Sequence, residues 1–228
     1  MKFTRAIRLL SYFGKNLTVS DSLGTLRKAL FRNDLMFVYC LEMRGSNPAC
    51  LSMETEKEEG RNGVEIEKGG IAELEEFCAR TGATAWEFNR HKFDGVKDFF
   101  VARGVDMIQS ISWIYRRSDP NRFLILGERH ALLQYGLTLP QFRGRGLYTA
   151  VQKAAAEYLY EQGVNTVFVL VESRNKASQR SQEKAGFVKV REMHLKKVLG
   201  VQVSRKLHAS RIVRVEFEVA QEIVTYEY

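Results

Sequence analysis

The stretch from Ala131 to Met193 constrains the fold most, because strand and helix patterns alternate along it without interruption. Gly146–Gln162 places Leu147, Val151, Ala154 and Tyr158 at i, i+4, i+7 and i+11, which gives a long helix one apolar face. Gly163 stops that helix. On either side, Ala131–Leu139 and Val164–Val171 are short apolar runs that read as buried strands. A second helix over Asn175–Lys184 ends at Ala185-Gly186, and Phe187–Met193 starts another strand. Strands linked through helices pair in parallel, because the chain must cross back over the sheet. The expected class is therefore α/β, a mixed, partly parallel sheet flanked by helices.

Upstream, Met107–Arg117 reads as a strand, followed by the turn cluster Ser118-Asp119-Pro120-Asn121. Phe123–Leu126 reads as a short strand, and Gly127-Glu128-Arg129-His130 as a hairpin loop before Ala131. Helical patterns are expected at Ile71–Arg80 and at about Phe93–Ala102, and a buried strand at Leu35–Met43. Residues 44–63 form a polar excursion with Gly45, Asn47, Pro48 and a Glu-rich run. Residues 2–13 form a short basic amphipathic helix, and Asp21 or Ser22 caps a second one through Leu30. Ile212–Val219 alternates as a closing strand. The expected organisation is a helical N-terminal extension over 1–34 and one α/β domain over 35–228; with 45% hydrophobic residues the chain can build one sizeable core.

Charge and cysteine usage narrow the function classes. Cys40, Cys50 and Cys78 form no CxxC pair, so neither a disulfide framework nor a zinc site is expected. No apolar run approaches the length of a membrane span, and Arg8 interrupts the apolar stretch near Met1, which argues against a secretory signal. A cytoplasmic protein is the expectation. The net charge of +8 is concentrated at the two ends, where residues 1–35 and 186–214 are strongly basic. Such ends suit either a solvated face or an anionic partner.

The chemistry-bearing segment runs Leu137-Thr138-Leu139-Pro140-Gln141-Phe142-Arg143-Gly144-Arg145-Gly146-Leu147-Tyr148. A strand ends, a basic glycine-containing turn follows, and a long helix begins at once. The first N–H groups of a helix lack partners within it, and the dipole favours an anion there by about 0.3–2 kcal/mol. Gly144 and Gly146 allow close backbone approach to a phosphate, while Arg143 and Arg145 supply charge. The pattern is neither a Walker loop nor a dinucleotide fingerprint, because no Gly-Lys-Ser/Thr and no GxGxxG is present.

In its context the segment resembles the cofactor motif of the GNAT superfamily, Arg/Gln-x-x-Gly-x-Gly/Ala after a strand and opening a helix. Arg143-Gly144-Arg145-Gly146-Leu147-Tyr148 stands in its place. Downstream, Val171-Glu172-Ser173-Arg174-Asn175-Lys176-Ala177-Ser178 resembles the family's next strand and its exit, and Glu183-Lys184-Ala185-Gly186-Phe187 its usual ending before the following strand. The resemblance covers about 50 residues. It implies a pair of splayed parallel strands that admits the pantetheine arm of acetyl-CoA or another acyl-CoA. Backbone groups of Leu137, Thr138 and Leu139 would pair with that arm. Amides from Arg143 to Tyr148 would hold the pyrophosphate, and Asn175 and Ser178 would contact the cofactor further on.

Two departures from the family pattern stand out. Tyr148 occupies a position where the family prefers Gly or Ala. Gln182 occupies the position of a tyrosine that often serves as general acid, a role an amide cannot fill. The strand Ala131–Leu139 carries no carboxylate, so Glu172, at the end of an apolar run, is the expected general base. Glu128 and His130 are weaker candidates. The resemblance implies acyl transfer to an amine of a small molecule or peptide, with Trp86, Phe88, Trp113 and Tyr115 as aromatic candidates for lining the acceptor pocket or packing the core. A non-catalytic acyl-CoA-binding module is the alternative. Nucleic acid or aminoacyl-tRNA is a further one, although neither end alternates basic and aromatic residues as a stacking surface does. The closing strand Ile212–Val219 could pair across a homodimer.

Overall fold

A computed structural model describes residues 31–43, 63–120, 123–198 and 201–209. The expected N-terminal helices, nearly all of the 44–63 excursion and the strand at Ile212–Val219 lie outside these residues. The strands are β1 (Phe31–Glu42), β2 (Glu65–Lys68), β3 (Phe99–Arg103), β4 (Ile108–Tyr115), β5 (His130–Thr138), β6 (Thr166–Glu172), β7 (Val188–Val198) and β8 (Val201–Ala209). The helices are α1 (Ile71–Thr81), a short α2 (Arg90–Phe93), α3 (Leu147–Glu161) and α4 (Lys176–Lys184).

Two compact units divide the chain. The larger includes residues 37–191, and its strands lie in the order β2-β3-β4-β5-β6-β1-β7. The smaller includes residues 31–36 and 192–208; there β8 neighbours the far part of β7. Within the larger unit β2, β3, β4 and β5 pair antiparallel, and β5 pairs with β6 in parallel through the α3 crossover. The mixed, partly parallel α/β sheet expected from the sequence is thus present.

Alternation along the strands sorts the core onto two faces. Phe100, Ala102, Ile114, Ala131 and Leu133 cluster with Leu147, Val151, Ala155, Ala156 and Leu159 of α3. Ala155 and Ala156, both fully buried, keep the helix backbone close to the sheet. On the other face Phe99 meets Trp113 with ring centroids 4.6 Å apart. Phe77 of α1 packs edge-on against Phe88 at 5.4 Å. The indole Nε1–H of Trp113 donates to the Glu87 carbonyl at 2.7 Å, which ties the 3-10 turn Trp86–Asn89 to that face.

Several local expectations need correction. The helix expected over Phe93–Ala102 is instead the end of α2, a turn at Gly95 and strand β3. Gly95 is left-handed (φ 72°), which ends the helical course, and Phe99-Phe100-Val101-Ala102 are buried side by side between β2 and β4. Burial on both faces erased the alternation that marks a half-exposed strand. Phe123–Leu126 supplies a single bridge residue and no strand. β1 begins at Phe31, four residues before the expected start at Leu35. β2 and β8 were not foreseen.

Leu159 is fully buried where α3 packs on the sheet. Leu159→Ala is expected to cost about 2–5 kcal/mol of stability, read as a lower urea midpoint with an unchanged m-value.

Candidate active site

β5 departs from regular pairing near its middle. Opposite β4, Ile111 faces Leu137 while Trp113 faces Gln134, so β5 carries one residue more over the same length. The extra residue makes a bulge, and Tyr135 sits in it at φ 54°, the one non-glycine residue with positive φ among the described residues. On its other side β5 pairs in parallel with β6 only from His130↔Thr166 to Leu133↔Val169. Both strands continue, to Thr138 and Glu172, without further pairing to each other. The bulge bends β5 away, and the two strands part beyond Leu133 and Val169.

The basic turn stands at the end of the parted strand. Pro140–Phe142 forms a 3-10 turn, and Arg143 Nε donates to the Thr138 carbonyl at 3.1 Å, closing the turn back onto β5. Gly144 (φ 83°) is exposed with open space where a side chain would begin. Gly146 (φ 70°) caps α3 without a side chain, so the first-turn N–H groups stay available to a ligand. The Arg145 guanidinium lies 5.4 Å from the centre of the Phe142 ring. Exposed arginines, open glycines and a bare helix N-terminus suit a pyrophosphate.

The structure places the other expected residues as follows. The Leu137 carbonyl accepts from Ser110 Oγ at 3.1 Å, and the Thr138 hydroxyl lies 2.9 Å from the same oxygen. Both backbone groups of Leu139 are engaged within the protein: its N–H donates to Gln109 and its carbonyl accepts from Phe142, each at 2.9 Å. The Leu137 and Thr138 carbonyls also have partners within the protein, Ser110 Oγ and Arg143 Nε. Leu147 is buried in the core, so only its amide faces the turn. Asn175 caps α4 by accepting from the Ser178 N–H at 3.1 Å. Glu172 ends β6 exposed to solvent, and its carboxylate accepts from Arg174 Nε at 2.8 Å.

Tyr148 does more than its backbone amide. Its ring crosses to β5 and lies against Gly136, where even a methyl group would collide with it. Its hydroxyl accepts from Gln182 Nε2 at 3.3 Å, and burial pushes its pKa up to about 12. Tyr148, in the first turn of α3, and Gln182 of α4 are therefore in contact.

The opposite face of β5 holds a second cluster. Arg90 lies 3.9 Å from the Trp86 ring centre and 4.1 Å from that of Tyr135. Its Nη1 donates to Asp94 at 2.8 Å, and Asp94 also accepts from the Tyr115 hydroxyl at 2.6 Å. Burial, together with the Asp94 carboxylate, drives the Tyr115 phenol far above its ordinary range. Beside Trp86, burial raises the Glu87 carboxyl, and its own backbone N–H and the Arg90 charge offset part of that rise. Sequence reasoning passed over Glu87, Arg90 and Tyr135. Their segments are irregular, and no spacing rule links them to a strand some fifty residues away. Among the described residues no group of His, Cys, Asp and Glu is arranged to hold a metal ion.

A sequence profile of the acetyltransferase (GNAT) domain matches residues 71–188, more than half of the chain. The chain belongs to the GNAT acetyltransferase family. No curated protein matches it. Among solved structures it is similar to the GCN5-related glucosamine N-acetyltransferase region of a fungal multi-domain β-N-acetylglucosaminidase, at 18% identity and TM-score 0.53, over 80% of this chain and 23% of that one. A GCN5-related N-acetyltransferase-like protein from Streptococcus suis matches at 10% identity and TM-score 0.50, over 80% of this chain and 68% of the other. A GNAT-family acetyltransferase from Colwellia psychrerythraea aligns at 16% identity and TM-score 0.48 over 73% of this chain, which spans only 56% of that relative. At such identities the likeness concerns the GNAT fold alone.

Glu87 gives this site of the GNAT domain a pH signature. Because its folded pKa is raised, the folded state binds the proton more tightly than the unfolded chain does. Its contribution is fully favourable below the ordinary carboxylate pKa of about 4.3 and is lost as pH rises through the raised value. Glu87→Gln is expected to remove that slope and to match or exceed the parent in stability at pH 7. Urea midpoints of both proteins at pH 4 and pH 7 test this.

Proposed function

We propose that this GNAT-family chain moves an acyl group, most simply acetyl, from acyl-CoA to the amine of a small molecule or peptide. The observation that carries the reading is the parting of β5 from β6 beyond Leu133 and Val169, with the basic turn at the mouth of the gap. Acyl-CoA supplies an activated thioester: the acyl carbon exchanges its bond to sulfur for a bond to the amine nitrogen, and sulfur departs with the electron pair. The chain's own residues do the rest. Leu137 and Thr138 offer strand-edge backbone to the pantetheine amides. Gly144, Gly146 and the first amides of α3 hold the pyrophosphate, and Arg143 and Arg145 neutralise it. Asn175 and Ser178, at the start of α4, contact the cofactor beyond its thioester.

The amine would enter from the opposite face, past Trp86, Tyr135 and the Arg90–Asp94 pair. A base there must take a proton before or as nitrogen attacks, a step typically worth about 10²–10⁴ in rate. Glu87 suits this better than Glu172. Glu87 is partly buried beside Trp86 and has a raised proton affinity, whereas Glu172 is exposed and paired with Arg174. Among the described residues no helix is long and apolar enough to cross a membrane.

Calorimetric titration of acetyl-CoA into the protein tests the reading. We expect saturable binding that Arg143→Ala/Arg145→Ala weakens by about 10–100-fold, as loss of charge-assisted phosphate contacts implies. The parent should also show the steeper salt dependence. A folded protein that binds neither acetyl-CoA nor longer acyl-CoAs would refute it.

A further inference from the structure

Two helices and one strand meet at the base of the parted pair. Tyr148 comes from the first turn of α3, Gln182 and Ser178 from α4, and Gly136 from β5. The missing side chain at Gly136 makes room for the Tyr148 ring, which is thereby brought against the opened part of β5. The phenolic oxygen accepts from Gln182 Nε2 at 3.3 Å, and the Ser178 side chain also hydrogen-bonds to it. Gln182 is fully buried, so this donor is fixed in place.

A phenolic oxygen has two acceptor positions and one proton. With the Gln182 N–H on one acceptor position, the proton of Tyr148 is directed away from that donor, toward the Ser178 hydroxyl or a ligand atom. A proton donor held this way, beside a gap between strands, suits a ligand atom that gains negative charge. Other polar side chains along Gln134–Thr138 are less suited. Tyr135 faces Arg90 on the opposite side, and the Thr138 hydroxyl is engaged with Ser110.

We propose that the Tyr148 hydroxyl donates a hydrogen bond to the sulfur of bound acyl-CoA, stabilising the charge that sulfur takes up as the acyl group leaves. This rests on the acyl-CoA reading above. Tyr148 need not lose its proton. Its buried hydroxyl remains protonated throughout the physiological range, and the proton shed by the amine reaches the released thiol through solvent, so atoms and charge balance. Gln182 and Ser178 act through Tyr148 as positioning residues.

The test reads the bound product CoA rather than turnover. The thiol of CoA is titrated on the protein by thiolate ultraviolet absorbance, with affinity measured alongside. Tyr148→Phe keeps the ring on Gly136 and removes only the hydroxyl. It is expected to raise the bound-thiol pKa by about one unit, tenfold in proton affinity, while CoA affinity changes by less than about threefold. Gln182→Met, which leaves Tyr148 intact but removes one donor to its oxygen, should shift the thiol in the same direction by less. It also serves if Tyr148→Phe fails to fold. Tyr148→Ala/Gln182→Tyr, which supplies a hydroxyl from α4 instead, should restore the lower value. Equal thiol pKa values in the parent and the folded variants, with CoA bound in each, would overturn this role for Tyr148 and leave the acyl-CoA reading standing. Absence of CoA binding by the parent would refute both.

Discussion

A parallel strand pair resists opening, because each backbone N–H and C=O left without a partner away from water costs about 1–3 kcal/mol. In this protein β5 and β6 nonetheless separate beyond Leu133 and Val169, and the arrangement of the site follows from that separation. The bulge opposite Ile111–Trp113 turns β5 aside, and Tyr135 takes up a left-handed conformation to make it. Such a conformation costs a non-glycine residue about 1–3 kcal/mol. The contacts of Tyr135 with Arg90, Trp86 and Tyr115 hold it there, and Asp94 in turn fixes Arg90 and Tyr115. An opened edge is stable when something else pairs with it, and an extended amide-bearing arm is such a partner.

The strand also separates two chemical environments. On the α3 side lie the glycine-arginine turn, the helix N-terminus and the Tyr148–Gln182–Ser178 group, all suited to negative charge. On the other side lie Trp86, Tyr135 and a guanidinium already neutralised by Asp94, with Glu87 alongside. Tyr135 and Gly136, adjacent in sequence, serve opposite sides: one carries the aromatic wall, and the other lacks a side chain so that Tyr148 can pass. A site divided in this way lets one ligand lie along the strand while a second approaches from the far face.

Much of this was legible in the sequence, for identifiable reasons. The helix α3 and the strands β5 and β6 stood out because helical periodicity and apolar runs are local properties, and the basic turn was visible because glycine and arginine at a strand–helix junction have a direct physical meaning. The Phe99–Arg103 strand was misread because burial on both faces removed its alternation. β1 was recognisable as a strand, yet nothing local shows that it lies between β6 and β7, two strands far along the chain. Tyr148 and Gln182 each registered as a departure. That the one hydrogen-bonds the other across 34 residues is a fact of tertiary packing. Glu172 was visible from its place at the end of an apolar run, whereas nothing local in the sequence marks the burial that raises the Glu87 carboxyl.

The central claim is that the gap between β5 and β6 receives acyl-CoA, and amide hydrogen exchange with and without acetyl-CoA tests it most directly. The account predicts slower exchange confined to Gln134–Thr138 and to the turn and first helical residues from Gly144 to Thr149, with the rest of the sheet unchanged. Unchanged exchange in both segments at saturating ligand, or protection concentrated in β7 and β8 instead, would contradict it.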